Sequence, residues 1–195
     1  MLKKIKEHLN NIYKKYDTLE KQLKAVKSDV TAIQFIDSPT VEVQLAAVKE
    51  NVYAVQFIKN PAIEVQLFVV EKSGYAIEHI KQPSIEIQLA AVKKDVYAIE
   101  YIKDPVLEVQ LSVVNSDGYV IQYIKNPAVE VQLAALKQNF RVIECLTVNN
   151  IKELISYIEN HEEQSITDEI DMLTKKIEYL TSRLEGIAQE KKETK

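Results

Sequence analysis

Residues 83–104 read PSIEIQLAAVKKDVYAIEYIKD, and close variants of this 22-residue stretch follow one another along most of the chain. Its proline recurs at an interval of 22 residues, as Pro39, Pro61, Pro83, Pro105 and Pro127. A fixed period of this length indicates a repeat architecture, in which each repeat packs on its neighbours. Six repeats therefore cover residues 17–148, and the first has Asp17 in place of the proline.

Each repeat, numbered from its proline as position 1, predicts two short helices. Ser, Asn or Asp precedes four of the five prolines, which predicts an N-cap followed by proline at the first helical position. We expect about 11 residues in the first helix and about 8 in the second, both supported by neighbouring repeats. Position 13 is a capping residue in every repeat and predicts the start of the second helix: Asp29, Asn51, Ser73, Asp95, Asp117 and Asn139.

The apolar residues of each repeat follow the helical period. In the first helix, positions 3, 7 and 10 form one stripe, and positions 5 and 9 widen it. In the second helix, positions 16, 17 and 20 form the stripe. We expect these side chains to be buried; in repeat two the stripe residues are Val41, Leu45, Val48, Ala54, Val55 and Ile58.

Helices are also predicted at the two ends of the array. The 3-4 spacing of apolar residues predicts a helix over residues 1–16 that continues into the first repeat. After the last repeat, Asn149 or Asn150 is placed to cap a helix over residues 149–161. The predicted fold class is therefore all-α: a solenoid of six two-helix repeats with helical caps.

The C-terminal segment, residues 165–191, predicts one amphipathic helix with a coiled-coil-like heptad pattern. Its apolar seam could pair with a second copy of the chain, fold back on the repeats or the first helix, or bind another protein. We expect a homodimer through this helix. The seam residues are Ile166, Ile170, Leu173, Ile177, Leu180, Leu184 and Ile187.

The repeat sequence resembles two known kinds of helical repeat. NPAVEVQLAALKQN, residues 126–139, is similar to HEAT-type repeats and to the shorter leucine-rich-repeat variant. AVKKDVYAIEY, residues 91–101, is similar to an uncharacterised repeat module of bacteria and their phages. The resemblance implies a right-handed α-solenoid with a binding role, and it transfers no functional site. The chain departs from HEAT-like repeats at position 6, where glutamine replaces their common arginine.

Glutamine occupies position 6 of every repeat, inside the apolar arc of the first helix. A polar amide in packed surroundings has to be hydrogen-bonded. We expect each amide to form a hydrogen bond to a neighbouring repeat and so fix the stacking. The alternative is that the amides recognise a ligand. This structural ladder comprises Gln22, Gln44, Gln66, Gln88, Gln110 and Gln132.

Aromatic residues recur at positions 15 and 19 of the second helix. Exposed tyrosine is common in binding surfaces, so these positions are candidates for a partner-binding groove. Packing between repeats is the alternative interpretation. The candidates are Tyr53, Tyr75, Tyr97 and Tyr119 at position 15 and Phe57, His79, Tyr101 and Tyr123 at position 19.

The sequence holds no pattern of catalytic or cofactor-binding residues. His8, His79 and His161 lack metal-ligand spacing, and Cys145, the one cysteine, has the position of a core residue. There is no glycine-rich phosphate loop and no apolar run long enough to cross a membrane. We therefore predict no enzymatic activity, no cofactor, no metal, no membrane contact and a cytoplasmic location.

Charge distribution bears on the kind of partner. Residues 1–27 carry eight lysines and three acidic residues, whereas the whole chain has a net charge of −4. The leading functional prediction is a protein–protein interaction scaffold for an unknown protein partner. Its sharper version is a phage or mobile-element inhibitor or adaptor that acts on a host protein. The alternative is a solenoid that binds nucleic acid through its basic N-terminal helix, which the acidic remainder disfavours.

Overall fold

The computed structural model describes residues 16–160 together with residues 174, 177–178 and 181–182. These residues form helices and no strands, which confirms the all-α prediction and the repeating helix pairs. The α-helices are α1 Leu19–Ser28, α2 Val41–Glu50, α3 Ile63–Lys72, α4 Ile85–Lys94, α5 Leu107–Ser116, α6 Val129–Gln138 and α7 Val148–Asn160. Six 3₁₀ helices alternate with them: η1 Val30–Phe35, η2 Val52–Phe57, η3 Gly74–His79, η4 Val96–Tyr101, η5 Gly118–Tyr123 and η6 Phe140–Cys145.

The chain divides into two compact parts. The N-terminal part is Met1–Ser112 and the C-terminal part is Val113–Lys195. The predicted helix over residues 1–16 lies outside the described residues apart from Tyr16, and so does most of the predicted tail helix.

The second helix of each repeat is a six-residue 3₁₀ helix, so the expectation of about eight α-helical residues was wrong. In repeat two, the Ala54 amide donates to the Asn51 carbonyl at 2.9 Å and the Ile58 amide to the Val55 carbonyl at 3.0 Å. A 3₁₀ helix has three residues per turn, so side chains three apart eclipse. Positions 14 and 17 therefore share the inner side, and positions 15 and 18 share the outer side. The segment ends at position 19, and Ile58 at position 20 is extended.

Position 13 ends one helix and begins the next, as its residue types predict. The Asn51 amide donates to the Ala47 carbonyl at 3.1 Å and closes α2. The Asn51 side chain then accepts the Tyr53 amide at 3.0 Å and opens η2. The same side-chain cap forms at Asp29, Asp95, Asp117 and Asn139, whereas Ser73 makes none.

The α-helices begin later than predicted, and proline does not occupy the first helical position. The N-cap is position 2; Thr40 accepts the Val43 amide and Ser84 the Ile87 amide, each at 3.4 Å. The residue before proline belongs to a turn, because the proline ring disfavours the helical conformation there. Ser38, Gln82 and Asp104 are in the left-handed region, with φ of 52–53°.

The core is formed by positions 5, 9 and 10 of the α-helix in repeats two to six, and by positions 16, 17 and 20 in repeats one to five. In repeat one position 5 is the exposed Lys21. In repeat two these residues are Val43, Ala47, Val48, Ala54, Val55 and Ile58, all buried. Position 3 was expected to be buried, and that was wrong: Val41, Ile63, Ile85 and Leu107 are 39–45% exposed. At about 100° per residue, the buried arc runs from position 5 to position 10, and position 3 lies beyond its edge.

Glycine at position 14 allows one repeat to approach the next closely. A Cβ atom on Gly74 would lie 2.5 Å from the Ala91 carbonyl oxygen and 2.9 Å from the Asp95 Cβ. A Cβ atom on Gly118 would lie 2.8 Å from the Ala135 carbonyl oxygen. At these two positions a larger residue has no room unless the following α-helix moves.

In the C-terminal part, a cluster of buried apolar residues joins α6, η6, α7 and the tail. It comprises Leu136, Ile143, Leu154 and Ile177. The N-terminus of α7 is held by Thr147, whose hydroxyl accepts the Asn150 amide at 3.2 Å, while the Asn150 side chain accepts the Thr147 amide at 3.1 Å. The N-cap is therefore Thr147 rather than Asn149 or Asn150, and Asn150 supplies the reciprocal bond.

Candidate functional site

The position-6 glutamines bind the backbone of their own turn. In repeats two to six the amide nitrogen donates to the carbonyl of the repeat's proline, at 2.7–3.0 Å. In repeat one, Gln22 donates to the Tyr16 carbonyl at 2.9 Å. These bonds hold the turn before each α-helix against that helix.

The carbonyl oxygens of these glutamines differ from repeat to repeat. The Gln44 oxygen accepts the Ala62 amide of the next repeat at 2.9 Å, which is the predicted bridge. The oxygens of Gln88, Gln110 and Gln132 are buried and have no partner among the described residues. In all six repeats the glutamine amide therefore holds the turn before its own α-helix. At Gln44 the amide also holds the next repeat in place.

The position-15 tyrosines lie on the outer side of the 3₁₀ segments. Tyr53, Tyr75, Tyr97 and Tyr119 are each 36–41% exposed. The rest of each ring is covered, so these side chains pack and remain accessible at the same time. The alternatives of packing and binding are therefore not mutually exclusive at this position.

Rings from adjacent repeats meet edge to face. Tyr53 packs on His79 and Tyr75 on Tyr101, each pair with 5.9 Å between ring centroids and planes at 86–87°. Each contact joins position 15 of one repeat to position 19 of the next. This geometry is a favoured one for aromatic pairs and holds the rings in fixed orientations.

The tyrosine hydroxyls reach position 13 of the following repeat. The Tyr53 hydroxyl lies 3.3 Å from the Ser73 hydroxyl. The pKa of Tyr75 is raised, first by partial desolvation of the ring and then by a hydrogen bond to the Asp95 carboxylate. The raised pKa favours the protonated form of the Tyr75 hydroxyl.

Lysine recurs at position 21, just after the 3₁₀ segments. Lys59, Lys81 and Lys103 are exposed and lie two residues past the ends of η2, η3 and η4. Position 18 is Gln56, Glu78 or Glu100 in these repeats. These lysines recur every 22 residues, as the tyrosines do.

We call the following residues of the N-terminal part the aromatic face: Phe35, Tyr53, Phe57, Tyr75, His79, Tyr97 and Tyr101. In the C-terminal part, Tyr119 and Tyr123 occupy the same positions of the 3₁₀ segment.

A groove adjoins the aromatic face in repeats one and two. Its volume is about 950 Å³, and its lining includes Phe35, Asp37, Phe57, Lys59 and the Gln44 amide. Asp17 also lines the groove, so two phenylalanine rings, two carboxylates and one lysine border one depression. Such a lining suits a ligand that combines apolar and charged groups.

One cysteine and one histidine, Cys145 and His79, lie among the described residues. Among them, no cluster of three or more His, Cys, Asp or Glu side chains could hold a metal ion. Desolvation raises the pKa of the Cys145 thiol, and Glu144 raises it further, so the less reactive thiol form is favoured. His79 lies against Tyr53, and His8 and His161 lie outside the described residues.

Of the predicted seam residues, Ile177 is the one that lies within the described residues. It is 1% exposed and packs with Leu136, Ile143 and Leu154 of the same chain. The remaining seam residues, Ile166, Ile170, Leu173, Leu180, Leu184 and Ile187, lie outside the described residues. Ile177 therefore packs against its own chain. This corresponds to folding back, one of the alternatives that the heptad pattern leaves open.

No family model matches this chain, and no curated protein or solved structure matches it. None of the described helices is both long and apolar enough to cross a bilayer.

Proposed function

We propose that this protein is a non-catalytic scaffold that binds a partner protein through the aromatic face. The observation that carries the proposal is the set of exposed rings, held in fixed orientations by contacts between adjacent repeats. Ordered, half-exposed tyrosines offer a large contact area and lose little conformational entropy on binding. Aliphatic residues fill the core of the repeats. The exposed edges of these rings are therefore not needed for the packing of the core.

The helix pairs in this proposal stack as a right-handed α-solenoid, with the 3₁₀ segments on the concave side. Glycine at position 14 and the small residues at position 16 support close stacking of successive repeats. A concave side lined by the shorter segments would set the rings in one continuous surface.

Binding through an exposed face predicts that the rings can be removed while the fold is kept. We expect Tyr75→Ala with Tyr97→Ala to abolish capture of a partner from the native host, analysed by mass spectrometry, and to leave the helical circular dichroism unchanged. Because the rings are partly covered, the double variant should melt at a lower temperature but still cooperatively. The matched control is Glu86→Ala with Glu108→Ala, which truncates two exposed side chains at position 4 of α4 and α5.

Two results would contradict the proposal. One is equal capture by the wild type and the tyrosine variant, and the other is loss of the folded state in the tyrosine variant. Steep loss of binding to generic DNA with rising salt would instead favour the nucleic-acid alternative.

A further inference from the structure

In repeats one and two, the phenylalanines at position 19 lack the ring contact that His79 and Tyr101 make. His79 and Tyr101 each pack on the position-15 tyrosine of the preceding repeat. Phe57 has no such partner because position 15 of repeat one is Thr31, and Phe35 belongs to the first repeat. Neither phenylalanine contacts another aromatic ring among the described residues. Phe35 is 53% exposed, the largest fraction among the exposed large apolar side chains of the described chain.

Both phenylalanines line the groove of about 950 Å³, and two aspartates line it with them. Asp17 and Asp37 occupy positions 1 and 21, where repeats two to five carry proline and lysine. The Asp17 carboxylate is already paired, because the Lys21 ammonium donates to it at 2.7 Å. Asp37 is exposed and forms no ion pair among the described residues, so it is the carboxylate left for a ligand.

The two repeats contribute different charges to the groove. Lys59 comes from repeat two, whereas Asp37 comes from repeat one and follows Phe35 by two residues. Repeat one therefore combines an exposed ring with an unpaired carboxylate. A cation is attracted both to the face of an aromatic ring and to a carboxylate. Among the cationic groups of proteins, the guanidinium is planar, stacks on aromatic rings and bonds a carboxylate through two parallel N–H groups.

We propose that this groove binds an arginine side chain of the partner protein, with the guanidinium stacked on the Phe35 ring and bonded to the Asp37 carboxylate. The apolar stem of the arginine packs on Phe57. The inference rests on the proposed function and names a residue that the partner presents to the aromatic face.

The test titrates the isotope-labelled full chain with Nα-acetyl-arginine amide and follows the backbone amide chemical shifts by NMR. We expect saturable shifts centred on Phe35, Asp37 and Phe57. Nα-acetyl-citrulline amide keeps the shape of this probe but not its charge, and should bind at least about fivefold more weakly because the charge-assisted bonds are lost. Nα-acetyl-lysine amide keeps the charge without the planar group, and should bind at least about twofold more weakly.

Two substitutions that introduce the residue of other repeats test the groove itself. Asp37→Lys gives repeat one the position-21 lysine of repeats two to five, and should abolish the saturable shifts. Thr31→Tyr supplies the missing position-15 ring against Phe57, and should weaken binding of the arginine probe at least about threefold. Glu64→Lys is the matched control for charge, because it makes the same change at an exposed position outside the groove, and should leave the affinity unaltered. Circular dichroism checks the folding of each variant.

Absence of saturable shifts, equal affinity for the arginine probe and either of the other two, or equal loss in Asp37→Lys and Glu64→Lys would overturn the inference. If the arginine probe fails while host-protein capture still depends on Tyr75 and Tyr97, the scaffold function stands and the assignment of the groove is wrong. If capture is also independent of these tyrosines, both proposals fail.

Discussion

A single glycine decides how closely two repeats approach. Gly74 lies against the carbonyl of Ala91, and a methyl group there would overlap it at 2.5 Å. Repeats two and four have Val52 and Val96 at the same position. Glycine is therefore required only where the neighbouring helix lies this close.

We predict that Gly74→Ala destabilises the protein by about 1–3 kcal/mol, because overpacking forces the backbone of α4 to shift. Urea denaturation followed by circular dichroism measures the change. Val96→Ala is the control at the same position of the next repeat, where removing methyl groups creates no overlap. A decrease of less than about 0.5 kcal/mol in the free energy of unfolding of Gly74→Ala would mean that α4 shifts without an energetic penalty.

The position-6 glutamines allow a comparison between two equivalent residues. Gln44 satisfies both ends of its amide, with the Pro39 carbonyl and the Ala62 amide. Gln88 donates to the Pro83 carbonyl, whereas its own oxygen is buried without a partner among the described residues.

Leucine at either position keeps the volume but removes the amide. Gln44→Leu should cost about 1–3 kcal/mol more than Gln88→Leu, since it also leaves the Ala62 amide unpaired. Denaturation midpoints of the two variants, each compared with the wild type, give the difference. Equal costs would show that the Gln44–Ala62 bond contributes nothing to the stacking.

At the scale of the elements, the N-caps of the α-helices are uneven. Thr40 and Ser84 bond to the third helical amide, whereas Ala62 and Ala128 at the same position make no side-chain bond. In α3 and α6 the third helical amide instead donates to the backbone carbonyl of the N-cap residue, Val65 to Ala62 and Val131 to Ala128, each at 3.0 Å.

Ala62→Ser should stabilise the protein by about 0.5 kcal/mol, because the hydroxyl can accept the Val65 amide as Ser84 accepts that of Ile87. The expected gain is at the low end for an N-cap because the Val65 amide already donates to the Ala62 carbonyl. The backbone bond from residue 62 to Gln44 is unaffected by the change. Ser84→Ala is the reciprocal control and should lose a similar amount. A lower melting temperature for Ala62→Ser would show that the half-buried site cannot accommodate the hydroxyl.

At the scale of the whole molecule, the packing of the C-terminal tail determines whether the protein is a monomer or a dimer. The heptad pattern predicts pairing of two chains, but Ile177 is buried against Leu136, Ile143 and Leu154 of its own chain. An intramolecular contact makes stability independent of protein concentration, whereas dimerisation makes it concentration-dependent.

We predict that Ile177→Ala costs about 2–5 kcal/mol, as truncation of a buried aliphatic residue does. The melting temperature of the wild type should stay constant across a hundredfold range of protein concentration. Glu178→Ala, at the exposed neighbouring position, should change stability little. A melting temperature that rises with concentration, together with a dimer mass by light scattering, would favour the coiled-coil prediction.

The sequence by itself determined what depends on neighbours along the chain. Position 13 is a capping residue by type, and its side chain binds an amide two residues on, as at Asn51. Most buried positions of the helices follow from short apolar spacings. Position 3, the first residue of the α-helix, is exposed instead, and the leucine at position 7, such as Leu45, is only half-buried. The 3₁₀ form of the second helix was missed because a six-residue segment holds too few turns to distinguish three residues per turn from 3.6.

Only the tertiary structure decided which residues of different repeats meet. The pairing of Tyr53 with His79, of Gln44 with the Ala62 amide and of Gly74 with Ala91 joins residues 17–26 apart along the chain. Such contacts depend on how one repeat is rotated and shifted against the next, and that is set by the summed packing of many side chains. The aromatic face arises in this way: the sequence supplies a tyrosine every 22 residues, and the stacking fixes its orientation and leaves its edge exposed.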